Sequence, residues 1–227
     1  LVGSEMCIRD SCSVICINAV GFGLAVLVTN KIKGANLART VFFMPNLIGG
    51  ILLGFTWQFI FVSIFEAIGK NTGMTWLQGW LSDQKTGFIG MLIVLTWQLA
   101  GYMMIIYVAG LNNVSPDLIE AAQIDGATAT QILFKIKIPM IMPSVTICTF
   151  LTLTNGFKMF DQNLSLTGGD PGKQSQLLAL NIYDTFYGRS GPAWKGIGQA
   201  KAVVFFVLVV AIALIQLRAT SSKEVQA

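Results

Sequence analysis

The chain contains no histidine, and only 11% of its 227 residues are charged. Each shortage removes a class of function. Without histidine there is no imidazole to act as general base or to ligate zinc. The 11 acidic residues are scattered through separate segments, so paired carboxylates for acid–base chemistry do not assemble either. Cysteine is scarce: Cys7, Cys12, Cys16 and Cys148 are the only four, and Cys12-x-x-x-Cys16 has no second pair to complete a metal or cluster site. They read as apolar helix filler. No metal, no cofactor and no enzymatic activity of the chain's own are therefore expected. The net charge of +4 is small, and the lysines and arginines stand singly between apolar stretches, which leaves no footprint for nucleic acid.

What is abundant is apolar surface. Hydrophobic residues make up 54% of the chain, and soluble domains carry roughly one quarter charged residues instead. A bilayer core about 30 Å thick needs about 20 mostly apolar residues as helix, with every backbone polar group satisfied internally. Five stretches qualify, at 12–29, 41–65, 86–111, 138–160 and 197–217. The expected fold is an all-α integral membrane domain of about five transmembrane helices in contact with lipid. Lys201 interrupts the last span, at a helix end from which a lysine can snorkel to the interface. Gly21, Gly23, Gly49, Gly50, Gly54 and Gly101 predict close helix packing. Pro45 and Asn46 fall inside the second span, and Pro139 and Pro143 open the fourth, so kinks or turns are expected there. Residues 1–11 resemble a translated sequencing adapter and are set aside, which leaves 12–227 as the domain.

The short loop at 30–39 carries Lys31, Lys33 and Arg39 and no acid, which places it in the cytoplasm. Alternation then puts 66–85 outside, 112–137 inside, 158–201 outside and the tail from Arg218 inside. The inner segment at 115–139 is too polar to span and too patterned for a loose loop. It reads as helix, turn, helix: Ser115 as N-cap, Pro116 at the first helical position, Asp117 and Glu120 at the positive helix end, and Gly126 as the left-handed residue that ends the first helix. The second helix is expected from Ala127 to Ile138, stopping against Pro139.

Within it, Glu120-Ala121-Ala122, then Asp125-Gly126-Ala127, then Ile138-Pro139, resembles the EAA loop of ATP-binding-cassette importer permeases. Phe43-Met-Pro-Asn-Leu-Ile-Gly-Gly50, Thr96-Trp-Gln-Leu-Ala-Gly-Tyr102, Leu166-Thr-Gly-Gly-Asp-Pro171 and Leu177-Leu-Ala-Leu-Asn-Ile-Tyr183 are similar to segments of its carbohydrate-uptake branch, the maltose-type and glycerol-phosphate-type permeases. The resemblance covers residues 12–227. It implies a cytoplasmic coupling helix that docks in a cleft of an ATP-hydrolysing subunit through Glu120, Ala121, Ala122, Asp125, Gly126, Ala127 and Pro139. It also implies a second permease subunit, an extracytoplasmic sugar-binding protein and a place in the bacterial plasma (inner) membrane. The family has six or more spans, so the first is expected to be missing from an N-terminally truncated chain.

In that branch the helices flanking the coupling loop line the solute path. Aromatic faces and amide or hydroxyl groups bind sugars, so Trp97, Gln98 and Tyr102 on the third span are candidates, with Thr152 and Asn155 on the fourth. Plain alternatives stand beside them: Trp97 as packing, Thr152 bonded to its own helix, and Lys158 with Asp161 as an interfacial ion pair. Tyr183, Tyr187 and Trp194 fit either contact with a binding protein or an interfacial aromatic belt. Gly168-Gly-Asp-Pro-Gly-Lys-Gln174 looks like a phosphate loop, but its glycine spacing is one short and Gln174 replaces the required Ser/Thr. Any ATPase must come from another chain. A permease of the same architecture could serve an amino acid, a polyamine or a phosphonate. A secondary transporter would more often carry ionisable groups or inverted repeats in its spans.

Overall fold

A computed structural model describes residues 2–30, 34–173 and 175–221. Lys31, Lys33, Gln174 and the tail from residue 222 lie outside the described residues. Where no water can hydrogen-bond the backbone, helix satisfies every internal group, and among the described residues no strand forms. In chain order the helices are α1 (Val2–Thr29), α2 (Ala35–Phe43), α3 (Gly50–Phe59), α4 (Phe65–Thr72), α5 (Gln84–Asn112) and α6 (Pro116–Ile124). They continue with α7 (Ala129–Ile132), α8 (Ile138–Met140), α9 (Met142–Phe157), α10 (Asp161–Leu166), α11 (Leu178–Tyr187) and α12 (Pro192–Ser221). Wide π turns join α3 to α4 over Ile60–Ile64 and α7 to α8 over Leu133–Lys137.

Four helical stretches are long and apolar enough to cross a membrane: Ser11–Thr29, Gly50–Thr72, Gln84–Asn112 and Pro192–Thr220. A fifth span arises if Ala129–Met140 and Met142–Phe157, bent by 69° at their junction, are taken together. Three boundaries differ from the sequence expectation. The second span is not one helix over 41–65. Pro45 and Asn46 sit in a tight 3-10 turn, Met44–Leu47, and the apolar helix begins only at Gly50. The fourth is sharply bent at Ile141 because Pro143 has no N–H to donate to the Pro139 carbonyl. It also ends at Phe157, short of residue 160. The last span starts five residues earlier than expected, at Pro192, which suits a first helical turn.

The long helix α5 is the centre of the bundle. Its buried face carries Met91, Val94, Leu95, Met103, Met104 and Tyr107, in one cluster with Ile17, Ala25 and Val28 of α1 and Cys148 of α9. The Cys148 thiol lies 3.9 Å from the Met103 carbonyl, and Gly110 faces Ser144, so α5 and α9 run antiparallel. Phe157 against Phe205 and Gln216 against Thr146 place α12 antiparallel to α9. One end of the bundle therefore carries the end of α1, the α6–α8 hairpin and the end of α12. The opposite end carries 73–83 and 158–191.

Glycines set the closest approaches. A Cβ on Gly54 would lie 1.8 Å from the Ser165 hydroxyl, and one on Gly50 would lie 2.8 Å from the Asp161 Cβ, so α3 and α10 meet through a small-xxx-small stripe. A Cβ on Gly101 would lie 1.8 Å from the Phe42 carbonyl oxygen, which seats α2 against the middle of α5. Gly21 makes the same kind of contact with Met103, whereas Gly23 and Gly49 face open space.

Candidate functional site in a broken span and a helical hairpin

The non-helical turn between α2 and α3 lies beside the midpoint of α5. Its Ile48 carbonyl, freed from helical bonding, accepts the Gln98 side-chain amide at 3.3 Å. The Gln98 oxygen in turn accepts the Gln162 amide at 2.8 Å. Gln98 is buried, so this chain of amides from α10 through α5 to the break satisfies backbone that would otherwise be stranded in a dry interior. The neighbouring Thr96 hydroxyl is buried with no hydrogen-bond partner. Trp97 is 45% exposed, with its ring edge-on to Trp57 at 5.5 Å. Tyr102 leans on Phe43 at 6.4 Å, at the end of α2. Trp97, Gln98 and Tyr102 thus all border the broken span.

Thr152 belongs to a different junction. It is buried, and its hydroxyl donates to the Cys148 carbonyl at 2.8 Å in its own helix while accepting the Asn18 amide at 2.9 Å. The Asn18 oxygen accepts the Tyr107 hydroxyl at 2.7 Å. This polar knot ties α1, α5 and α9 together, and Asn155 lies one turn farther along α9, half-buried. Asn18 and Tyr107 are the members that sequence reasoning missed. Both are polar groups inside apolar helices, a visible signal whose pairing was not.

At one end of the bundle the hairpin is built from local rules. Pro116 occupies the first turn of α6 and Asp117 sits at its positive end, although the Ser115 side chain makes no cap bond. Gly126 takes φ +78°, and the Ala127 N–H bonds to the Ala122 carbonyl at 2.9 Å while the Gly126 N–H bonds to that of Gln123 at 3.0 Å. This is a Schellman closure, which glycine permits at no steric cost. The second helix begins later than Ala127. Thr128 caps it, accepting the Gln131 N–H at 3.3 Å while the Gln131 side chain accepts the Thr128 N–H at 2.8 Å. Nor does it stop against Pro139. The π turn carries it on to Met140, with Pro139 in α8 directly after that turn.

The hairpin points its α6 tip away from the bundle. Ile119 packs on the core cluster, while Glu120, Ala121, Asp125 and Gly126 are exposed, Ala122 and Ala127 are half-buried, and Pro139 is half-buried at the far end. Ile124 is 86% exposed, with Leu118 and Phe134 also open. Among the described residues the side chains of Glu120 and Asp125 form no ion pair. An acidic, small-residue tip carrying a bare isoleucine is a surface in want of a partner.

Elsewhere the interior polar groups are claimed by packing. Lys201 is held by a neighbouring helix. Its ammonium donates to the Asn181 oxygen at 2.8 Å and the Thr185 hydroxyl at 2.9 Å, binding α12 to α11. The 168–173 segment is no phosphate cradle, because the loop is filled by its own side chains. Buried Asn163 donates to the Ser175 carbonyl at 3.0 Å and accepts the Leu177 N–H at 2.8 Å. Among the described residues Lys158 and Asp161 form no ion pair; Lys173 pairs with Asp184 at 3.4 Å instead. Among the described residues no group of three or more Cys, Asp or Glu side chains is placed to hold a metal ion.

A helical membrane bundle with a broken span beside its centre and an amphipathic hairpin protruding at one end defines a transporter membrane domain. The chain belongs to the family of binding-protein-dependent transport system inner membrane components, which matches residues 17–222, and is a membrane permease subunit of that kind. It is 48% identical over 94% of its length to the probable starch degradation products transport system permease protein AmyD of Thermoanaerobacterium thermosulfurigenes, of which it spans 72%. It is 32% identical over 87% of its length to the alpha-glucoside transport system permease protein AglF of Rhizobium meliloti, of which it spans 60%. The backbone matches a chain of a bacterial alginate ABC transporter crystallised with an alginate pentasaccharide-bound periplasmic protein. The TM-score is 0.79 at 19% identity, covering 94% of this chain and 75% of that one.

Proposed function

We propose that this chain forms one half of the translocation pathway of an ATP-driven importer for a sugar or oligosaccharide in the bacterial inner membrane. The observation that carries it is the hairpin, whose exposed Ile124 sits between Glu120 and a glycine-closed turn at Gly126. Such a tip fits a cleft on a separate ATP-hydrolysing subunit: Ile124 fills an apolar pocket, Glu120 and Asp125 pair with basic groups, and Ala121, Ala122 and Ala127 let backbones approach. Because a Schellman closure at Gly126 and a capping box at Thr128 fix the turn between the two helices, closure of the ATPase pair moves the hairpin as one body. The bend at Ile141 passes that motion to α9 and through Thr152 and Asn18 to the rest of the bundle.

Saccharide as the solute is supported by the starch-product and alpha-glucoside permeases among the relatives, and by the chemistry beside the broken span. Trp97 and Tyr102 offer faces for C–H surfaces, Gln98 offers an amide for hydroxyls, and Asn155 extends the polar lining toward the opposite end of α9. A second permease subunit supplies the other wall, and an extracytoplasmic sugar-binding protein delivers the solute to the end of the bundle opposite the hairpin. The chain itself hydrolyses nothing.

The test is co-purification of the nucleotide-binding subunit with the full-length transporter, comparing wild type, Gly126→Asp and Ile124→Ser. Both variants are expected to lose most of the associated subunit while retaining the helix content of the membrane bundle by circular dichroism. Ile124→Ser introduces no backbone strain, so undiminished association of both variants would remove the hairpin from the contact. Uptake of labelled maltooligosaccharides against labelled amino acids and polyamines tests the solute class separately.

A further inference from the structure

We infer that the groove between α11 and α12, at the bundle end opposite the hairpin, holds an acyl chain of an anionic phospholipid. Its phosphate would lie at Lys195 and Arg189. The groove has a volume of about 440 Å³ and is lined almost wholly by apolar and aromatic groups, among them Phe160, Ile182, Tyr183, Tyr187 and Ala202. Phe160, Tyr183 and Tyr187 form a continuous aromatic wall, with ring centroids 5.0 and 4.9 Å apart. Gly198 forms the floor where the helices touch, since a Cβ there would lie 3.0 Å from that of Phe186.

Length and charge say what fills it. On α12, Lys195, Gly198, Gln199, Ala202, Val203 and Phe206 follow the three- and four-residue helical spacing, so they share one face. From Lys195 to Phe206 this stripe runs roughly 16 Å at 1.5 Å per residue, the depth of one leaflet of a hydrocarbon core about 30 Å thick. Val203 and Phe206 are 62% and 67% exposed, so the groove opens onto a bare apolar face that continues toward the bilayer centre. At its mouth the charges are positive. Lys195 is exposed one turn above Gly198, and the Arg189 guanidinium lies 4.1 Å from the Trp194 ring centroid, the usual station of an interfacial aromatic. Among the described residues neither cation forms an ion pair. The other charged groups nearby are already engaged: Lys201 with Asn181 and Thr185, and Asp184 with Lys173 and Gln176. A basic rim above an apolar slot one leaflet deep is complementary to a phosphate on an acyl chain.

The experiment uses the assembled transporter, extracted from bilayers of equimolar phosphatidylglycerol and phosphatidylcholine and weighed intact by native mass spectrometry. Wild type is expected to retain phosphatidylglycerol in preference. Lys195→Gln and Arg189→Gln are each expected to lower that preference about fivefold, equivalent to about 1 kcal/mol per cation. Ala202→Trp, which fills the slot, is expected to abolish retention of both lipids without dissociating the subunits. An unchanged lipid ratio in the two charge variants would overturn the proposal. So would photocrosslinking of the second permease subunit to a benzophenone side chain placed at Ala202, which would make the groove a protein interface. Neither readout depends on the transported solute.

Discussion

Substituting Gly54 tests whether the α3–α10 contact is as tight as the structure has it. In Gly54→Ala the added methyl would lie 1.8 Å from the Ser165 hydroxyl and 2.9 Å from its Cβ, with the Leu166 nitrogen at 3.4 Å. The hydroxyl is held by its bond to the Asp161 carbonyl at 2.6 Å, so it cannot rotate away without losing a partner. Overpacking of this kind costs about 1–3 kcal/mol, which for a chain of this size lowers the unfolding midpoint by about 2–4 °C per kcal/mol. The obstacle is mostly side chain. Adding Ser165→Gly removes both close atoms and leaves an ordinary contact, and since one helical glycine is removed and one created, each worth roughly 0.5–1 kcal/mol, the double variant should return close to wild type. Gly101→Ala is the harsher control. Its methyl would meet the Phe42 carbonyl oxygen at 1.8 Å and carbon at 2.5 Å, which are backbone atoms that no second substitution removes. Thermal unfolding of the purified complex, followed by tryptophan fluorescence, reads all three. A Gly54→Ala midpoint equal to wild type, or a Ser165→Gly background that restores nothing, would refute the packing argument.

Two further outcomes follow from the hydrogen bonds. Thr128→Ala removes the capping box that starts the second hairpin helix and should cost about 1 kcal/mol. Amide exchange over residues 129–137 is then expected to quicken about fivefold, while Thr128→Ser stays near wild type. Lys201→Met deletes both bonds from α12 to Asn181 and Thr185. Because it also relieves the desolvation of a half-buried ammonium, the net change in stability should stay within about 1 kcal/mol. Exchange in α11 should nevertheless rise, and a protection pattern identical to wild type would deny the latch.

The hairpin was legible because everything that shapes it lies within about 15 residues of chain. Pro116 starts a helix, Gly126 permits the left-handed turn, and the acidic-Ala-Ala triplet lies on the helix the glycine closes. Its second helix was misjudged at both ends. Thr128 caps more strongly than the Ala127 start allowed, and a π turn lets Pro139 ride inside a helix that a plain α repeat would have ended. The spans at 12–29 and 86–111 agree to within two residues with the membrane-crossing stretches Ser11–Thr29 and Gln84–Asn112, since apolar length is a local property.

By itself the sequence determined that this is a helical membrane domain, where its long apolar helices run, and which segment is polar and patterned enough to fold as a helical hairpin. Hydropathy and capping act between near neighbours, so one dimension suffices for them. Only the tertiary structure decided that Pro45 breaks a span instead of bending it. A break in a dry interior survives only if its freed carbonyl finds a donor, and that donor, Gln98, lies 50 residues away on another helix. The same holds for Asn18 with Tyr107 and Thr152 and for Lys201 with Asn181. Each is a polar group in an apolar run whose partner is set by how the helices are stacked.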